Sequence, residues 1–217
     1  MTPKEDTVSS IEAHYTRGHL IRAITEGLAG LGRTPQSVTP DELSPVDEFH
    51  VGGRQATEEL MQQLHLAKDV RVLDVGSGLG GPARFVASRY GSRVTGIDLT
   101  AEYVETARTL TEWTGLGERL SFHHGSALDT PFADAEFDSA YMLHVGMNIP
   151  DKKALFREVS RVLKAGGLFA VYDVMKTGDA PLAFPVPWAS TPERMTLPSV
   201  SSTMRPSDRP VPPATRM

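Results

Sequence analysis

Cysteine is absent from the 217 residues, which rules out disulfides, thiolate metal ligands and cysteine nucleophiles in one step and is compatible with a reducing compartment. Also missing is any block of Lys and Arg. The formal charge is −5, so a nucleic-acid backbone is not an expected partner. No apolar run approaches the length of a membrane span, and Lys4, Glu5 and Asp6 interrupt the start of the chain where a secretory signal would carry its apolar stretch. The reading is a soluble, cytoplasmic protein with no membrane partner. No second histidine or carboxylate pair accompanies His123 and His124 at metal-ligand spacing, so these read as strand or surface residues and no metal is expected.

What the chain does have is alternation. From Val70 onward the short apolar runs "VRVLDV", "RVTGID", "RLSFHH", "FDSAYML" and "LFAVYDV" alternate with the amphipathic segments "PARFVASRY", "AEYVETARTLTEW" and "KKALFREVSRVL". This predicts an α/β fold, a Rossmann-like sheet of five parallel strands with helices on both faces. Pro82 suits the first turn of a helix, and the Gly166–Gly167 pair predicts the stop of the last helix near Leu163. Ahead of the sheet, residues 9–31 space Leu20, Ile21, Ile24, Leu28 and Leu31 along one helical face, and residues 54–66 turn Leu60, Leu64 and Met61 inward. Between them "RTPQSVTPDELSPVDEF" holds three prolines and predicts an irregular connection.

Three regions follow: a helical cap and lid over residues 1–53, the Rossmann-like domain over 54–192, and a tail over 193–217. The tail holds five prolines, four serines and no aromatic residue. Such a composition buries too little surface to offset its ordering entropy, so disorder is expected there.

In "VLDVGSGLGG", residues 72–81, the glycines fall between a predicted strand and a predicted helix. Gly76, Gly78 and Gly81 fit G-x-G-x-x-G, and Asp98 ends the next strand where a ribose-binding carboxylate belongs. On those residues alone a nicotinamide-dependent oxidoreductase fits. Asp74 tilts the reading, because a carboxylate beside the loop would repel a pyrophosphate and attract an ammonium group. "HHGSALDTPF" after the third strand offers a small polar turn with apolar side chains for an adenine. The loop after "FDSAYML" lies at the carboxyl edge, where open α/β sheets bind ligands.

The ordered series "VLDVGSGLGG", "VTGIDLT", "GSALDTPF", "FDSAYMLHVGMNI" and "VLKAGG", led in by "DEFHVGGRQAT", resembles the class I S-adenosylmethionine-dependent methyltransferases over roughly residues 47–191. Within them it looks most like the small-molecule group around the sarcosine/dimethylglycine N-methyltransferases, the phosphoethanolamine methyltransferases and the ubiquinone- or tocopherol-type C-methyltransferases. The resemblance implies S-adenosylmethionine as cofactor and a small-molecule methyl acceptor, with an amine nitrogen of glycine-derivative type favoured. It implies that Gly76, Ser77, Gly78 and Gly80 approach the methionyl and ribose parts, with the cofactor's carboxylate toward the following helix N-terminus. Asp74 would face the ammonium group, Asp98 with Leu99 the ribose, and Ser126, Ala127 and Leu128 the adenine. Met142 completes the set. Ser126 departs from the family pattern, which often has an aspartate there, and is a weaker acceptor.

On the methyl side the candidates are His144 and Asn148, with Met147, from the loop after the fourth strand, and Tyr15 from the N-terminal segment, which would close over the site with Phe49 and His50. His144 reads equally as a satisfied structural histidine. Tyr15 reads also as core, and Trp188 as either pocket lining or loop packing. The likeness stops near Pro192, where relatives continue into further strands. The C-terminal strands are therefore expected to be missing, the fifth strand to offer an open edge for self-association, and a cofactor-binding but catalytically impaired protein is the alternative.

Overall fold

Val72, Leu73 and Val75 are shut away from solvent together with Asp74, the signature of a strand covered on both faces. The computed structural model describes residues 19–175. In it β1 (Arg71–Val75) is the middle strand of a parallel sheet, flanked by β2 (Arg93–Asp98) and β4 (Phe137–Leu143). β3 (Leu120–His124) and β5 (Leu163–Tyr172) lie outside them, giving the order β3-β2-β1-β4-β5. The expected Rossmann-like sheet is what the chain forms.

Alternation along the strands divides the core. Val72, Val94 and Tyr141 face one side, where they pack with Met61, Val86 and Val104. Leu73, Ile97, Ala140 and Met142 face the other, with Leu155 and Val159. Helices α4 (Gly81–Tyr90), α5 (Ala101–Trp113) and α6 (Lys152–Val162) connect the strands. Ahead of the sheet lie α1 (Leu20–Gly30), α2 (Pro40–Asp47) and α3 (Gly53–Met61). In α1, Ile24 and Leu28 join Leu43, Leu79 and Leu110 in a third cluster that seats the cap beside the glycine loop. Leu31 lies past the helix end and is exposed rather than on the buried face.

Two expectations are corrected. The proline-rich connection contains a helix, α2, because Thr39 and Glu42 form a reciprocal capping box and Pro40 stands at its first turn, where no N–H is needed. Pro45 is tolerated inside it: the carbonyl of Asp41, which loses its donor there, accepts the Ser44 hydroxyl at 3.0 Å. Gly166 and Gly167 do not stop α6, which ends at Val162. They sit in an irregularity of β5, where the register jumps from Phe137 opposite Leu163 to Ser139 opposite Leu168.

No helix among the described residues is long and apolar enough to cross a membrane. Tyr15, Trp188, the first half of the predicted N-terminal helix, the tail and any covering of the β5 edge by later residues lie outside the described residues.

Candidate functional site

The carboxyl ends of β1, β2 and β4 open onto a cavity of about 1110 Å³. The chain runs from β1 outward to β2 and β3 and returns for β4 on the other side, so the cavity lies at the switch point of the sheet. Its volume exceeds the ~300–1,000 Å³ usual for one drug-sized ligand, leaving room for a cofactor and a second substrate together.

The glycine loop forms the floor, and its glycines serve different ends. Gly78 has φ +52°, and a Cβ there would meet only the Phe49 ring at 3.8 Å, so its backbone is open to the cavity. Gly76 also borders the cavity, but the space a Cβ would take is filled by Val145, with Cγ2 at 2.3 Å. Gly80, expected to approach a cofactor, does not line the cavity: its open side is against the Phe122 ring and Arg84. Gly81 lets the end of α2 approach, with Asp47 Oδ1 2.5 Å from where a Cβ would stand. The N-terminus of α4, expected to favour the cofactor's carboxylate, is thus faced by the protein's own acid. Ser77 lines the cavity, and its hydroxyl oxygen is buried with no hydrogen-bond partner among the described residues.

Asp74 and Asp98 stand at the ends of β1 and β2, both in the cavity wall. Asp74 accepts the Tyr141 hydroxyl at 2.9 Å, and burial pushes its carboxyl up to about 8. Asp98 is also pushed up by burial, against two backbone N–H groups that favour its charge: Gly78 donates to Oδ2 at 2.8 Å and Thr100 to Oδ1 at 2.9 Å. The Thr100 hydroxyl also hydrogen-bonds this carboxyl and favours its charge, and the acceptor capacity left over suits a ligand hydroxyl. Leu99, Ser126, Ala127 and Leu128 continue the wall. Ser126 Oγ accepts the Leu128 N–H at 3.1 Å, which braces the turn and keeps the hydroxyl hydrogen available.

At the other end the loop after β4 brings His144, Met147 and Asn148 to the cavity, with Asn148 in a short 3₁₀ turn. His144 adopts φ +55°, a left-handed conformation costly for a residue with a Cβ and typical of functional sites. Its N–H donates to the Tyr172 carbonyl at 2.8 Å and its ring stacks on Tyr172 at 5.6 Å. Burial, then the neighbouring His50, push its pKa down. His50 lines the same end, its ring 6.2 Å from that of His144, while Phe49 borders the cavity beside Gly78 and Tyr103. Met142 does not reach the cavity. It is buried beneath the wall with Leu73 and Leu155. His123 packs its ring on Phe132 and His124 faces the Leu99 carbonyl at 2.9 Å.

Sequence reasoning missed a buried charged group under the cavity. Arg84 is 0% exposed and donates to Asp47 Oδ2 at 2.7 Å, to Thr111 Oγ1 at 3.2 Å, to the Ala107 carbonyl at 3.3 Å and to the Leu79 carbonyl. Beside it Glu48 accepts Arg54 and Thr57. A lone arginine in the otherwise apolar "GPARFVA" was the available signal.

Residues 73–171 match the model of a methyltransferase domain. Methyltransferase GfsG of Streptomyces halstedii is 33% identical over 159 residues, 73% of this chain and 55% of that protein. Sterol 24-C-methyltransferase ERG6B of Gibberella zeae is 36% identical over 118 residues, 54% of this chain and 31% of that one. The chain thus spans between about a third and just over half of these relatives' length. Among solved structures, geranyl diphosphate C-methyltransferase from Streptomyces coelicolor, solved with geranyl diphosphate and S-adenosyl-L-homocysteine, superposes with a TM-score of 0.51 at 29% identity, over 54% of this chain and 43% of that one. A buried acid, a second carboxyl at the end of the neighbouring strand and apolar wall residues fit the ammonium, ribose and adenine parts of S-adenosylmethionine. By sheet, loop architecture and sequence together, residues 73–171 carry a methyltransferase domain of the class I S-adenosylmethionine-dependent type.

Proposed function

We propose that the chain transfers the methyl group of S-adenosylmethionine, by in-line displacement, to a small and largely apolar acceptor with a nucleophilic carbon. The observation that carries this is the wall at the His144 end of the cavity. Val145, Met147 and Ile149, from the loop that carries His144, stand there with His50 and His144, two histidines whose pKa values burial pushes down and which are therefore uncharged near neutral pH. Val46, Phe49 and Val51 are exposed in this structure, an apolar rim that an apolar guest would cover. The C-methyltransferases among the relatives favour the same choice over the amine nitrogen that the sequence suggests.

The cofactor supplies an activated methyl on a positively charged sulfur. The chain's part is to hold the acceptor in line and keep water out, an effect worth up to about 7–11 kcal/mol in favourable cases. In this assignment Asp74 takes the ammonium group, Gly78 the close backbone approach, Asp98 and Leu99 the ribose, and Ser126, Ala127 and Leu128 the adenine. Ser77 and Gly76 border the methionyl part. His144 and Asn148 orient the acceptor, and Tyr15 stays a candidate for closing the site.

The test is transfer of tritiated methyl to a panel of geranyl diphosphate, a sterol with a side-chain double bond, sarcosine and a hydroxyaromatic. Labelling of an alkene acceptor is expected. Labelling confined to sarcosine would restore the amine reading, and cofactor binding with no labelling of any acceptor would favour the catalytically impaired alternative.

A further inference from the structure

His50 stands in the cavity wall with one face toward His144, at 6.2 Å between ring centroids. Its Nε2 lies 3.0 Å from the Gly53 carbonyl and 3.2 Å from Thr57 Oγ1. A carbonyl only accepts, so Nε2 carries a hydrogen. Thr57 agrees, because its own hydroxyl hydrogen is given to Glu48 Oε2 at 2.5 Å, leaving its oxygen to accept from the ring. Glu48 is held in turn by Arg54 at 2.5 Å, and its side chain is fully buried. A neutral ring with its hydrogen on Nε2 has a bare lone pair on Nδ1. That nitrogen has no hydrogen-bond partner among the described residues.

We propose that Nδ1 of His50 is the proton acceptor of the methyl transfer, with Gly53, Thr57 and Glu48 as positioning residues that fix the ring tautomer. The inference rests on the methyl-transfer reading above. As the S–CH₃ bond breaks and the bond from acceptor to methyl forms, the S–C electron pair stays on sulfur and the acceptor gains the positive charge. A C–H bond on or beside the methylated atom then breaks. Its electron pair returns to the acceptor, restoring the double bond, and its proton goes to Nδ1 and on to solvent. The arrangement is that of a base oriented by a third group. The charged and titratable groups around it are Asp47 and Glu48 at the end of α2, Arg54 on α3 and His144 after β4. Burial lowers the pKa of His50, with the Gly53 carbonyl and Asp47 acting against it, so the ring is ready to take a proton near neutral pH.

Long-range ¹H–¹⁵N correlation on the full chain reads the ring directly. The Nε2–H tautomer is expected for His50, and an Nδ1–H tautomer would overturn the proposal whatever the acceptor proves to be. In the transfer assay, His50→Ala is expected to bind S-adenosylmethionine within about twofold of wild type while kcat falls by about 100-fold or more, with partial rescue by added imidazole. Thr57→Val is expected to reduce kcat less and to shift its pH profile. His50→Gln, which retains a side-chain polar group, serves if the alanine variant fails to fold. Unchanged kcat in a cofactor-binding His50 variant sinks the proposal and leaves the function standing. A wild-type chain that binds no S-adenosylmethionine overturns the function and this proposal with it. A wild type that binds cofactor but labels no acceptor overturns the catalytic reading, and with it the role of His50, whatever the tautomer.

Discussion

Tyr141 donates its hydroxyl to Asp74 Oδ2 at 2.9 Å, between two residues that stand directly opposite each other on β4 and β1, with neither side chain open to solvent. Burial holds this carboxyl group at the bottom of the cavity in its neutral form, against the Tyr141 hydrogen bond, which favours its charge. With its pKa near 8, Asp74 keeps its proton at pH 7 until a cation arrives to replace it. Binding of S-adenosylmethionine is therefore expected to release close to one proton near neutral pH and less above about pH 9. Calorimetry in buffers of different ionisation enthalpy measures this, and a proton count of zero at pH 7 would contradict it.

The same buried carboxyl makes stability depend on pH. The folded pKa lies above the usual carboxylate value of 3.8, so the native state binds the extra proton. That contribution is full below about pH 4 and is lost as pH rises through about 8. Asp74→Asn keeps the neutral form at every pH. It is expected to raise the Tm of the cofactor-free protein near pH 9, to change it little near pH 5, and to weaken cofactor binding at least tenfold, all read by thermal melts and titration.

Gly76 and Gly78 separate packing from binding. Gly76→Ala places a Cβ on Val145 in a left-handed backbone of φ +76°, which should cost about 3 kcal/mol of stability. Gly78→Ala meets little beyond the Phe49 ring and should cost about 1–2 kcal/mol, with a larger loss in cofactor affinity. Denaturant unfolding and titration of the two variants check the contrast.

Removing one member of the Arg84–Asp47 pair leaves a charge 0–4% exposed without its partner. Arg84→Met or Asp47→Leu alone is expected to lose about 3–5 kcal/mol, and the double variant much less. A double-mutant cycle on unfolding free energy tests the coupling.

Phe49 is 60% exposed yet borders the cavity. Phe49→Ala should change unfolding free energy by less than about 0.5 kcal/mol. It should raise the acceptor KM roughly tenfold, as expected for about 1.5 kcal/mol of lost apolar contact.

The strands were legible because each is a run of apolar residues bounded by turn residues; "RVTGID" and "FDSAYML" match β2 and β4 end to end. What escaped was anything set by contact between distant segments. Three prolines hid α2, since neither the capping box nor the rescue of Asp41 by Ser44 leaves a periodic mark. That Met142 is packed beneath the cavity wall rather than in it depends on its neighbours Leu73 and Leu155, which a family motif does not record. The partition of glycines between Val145, Phe122, Asp47 and the cavity depends on neighbours 30 to 70 residues away.

Val145 belongs to the loop after β4, proposed to face the acceptor, yet its side chain is seated where Gly76, in the glycine loop proposed to face the cofactor, has none. The two loops behave as hook and eye. Changes of acceptor preference made at residues 144–148 will therefore be felt as changes in cofactor affinity, so that altering which molecule is methylated draws on the same few contacts that hold the methyl donor.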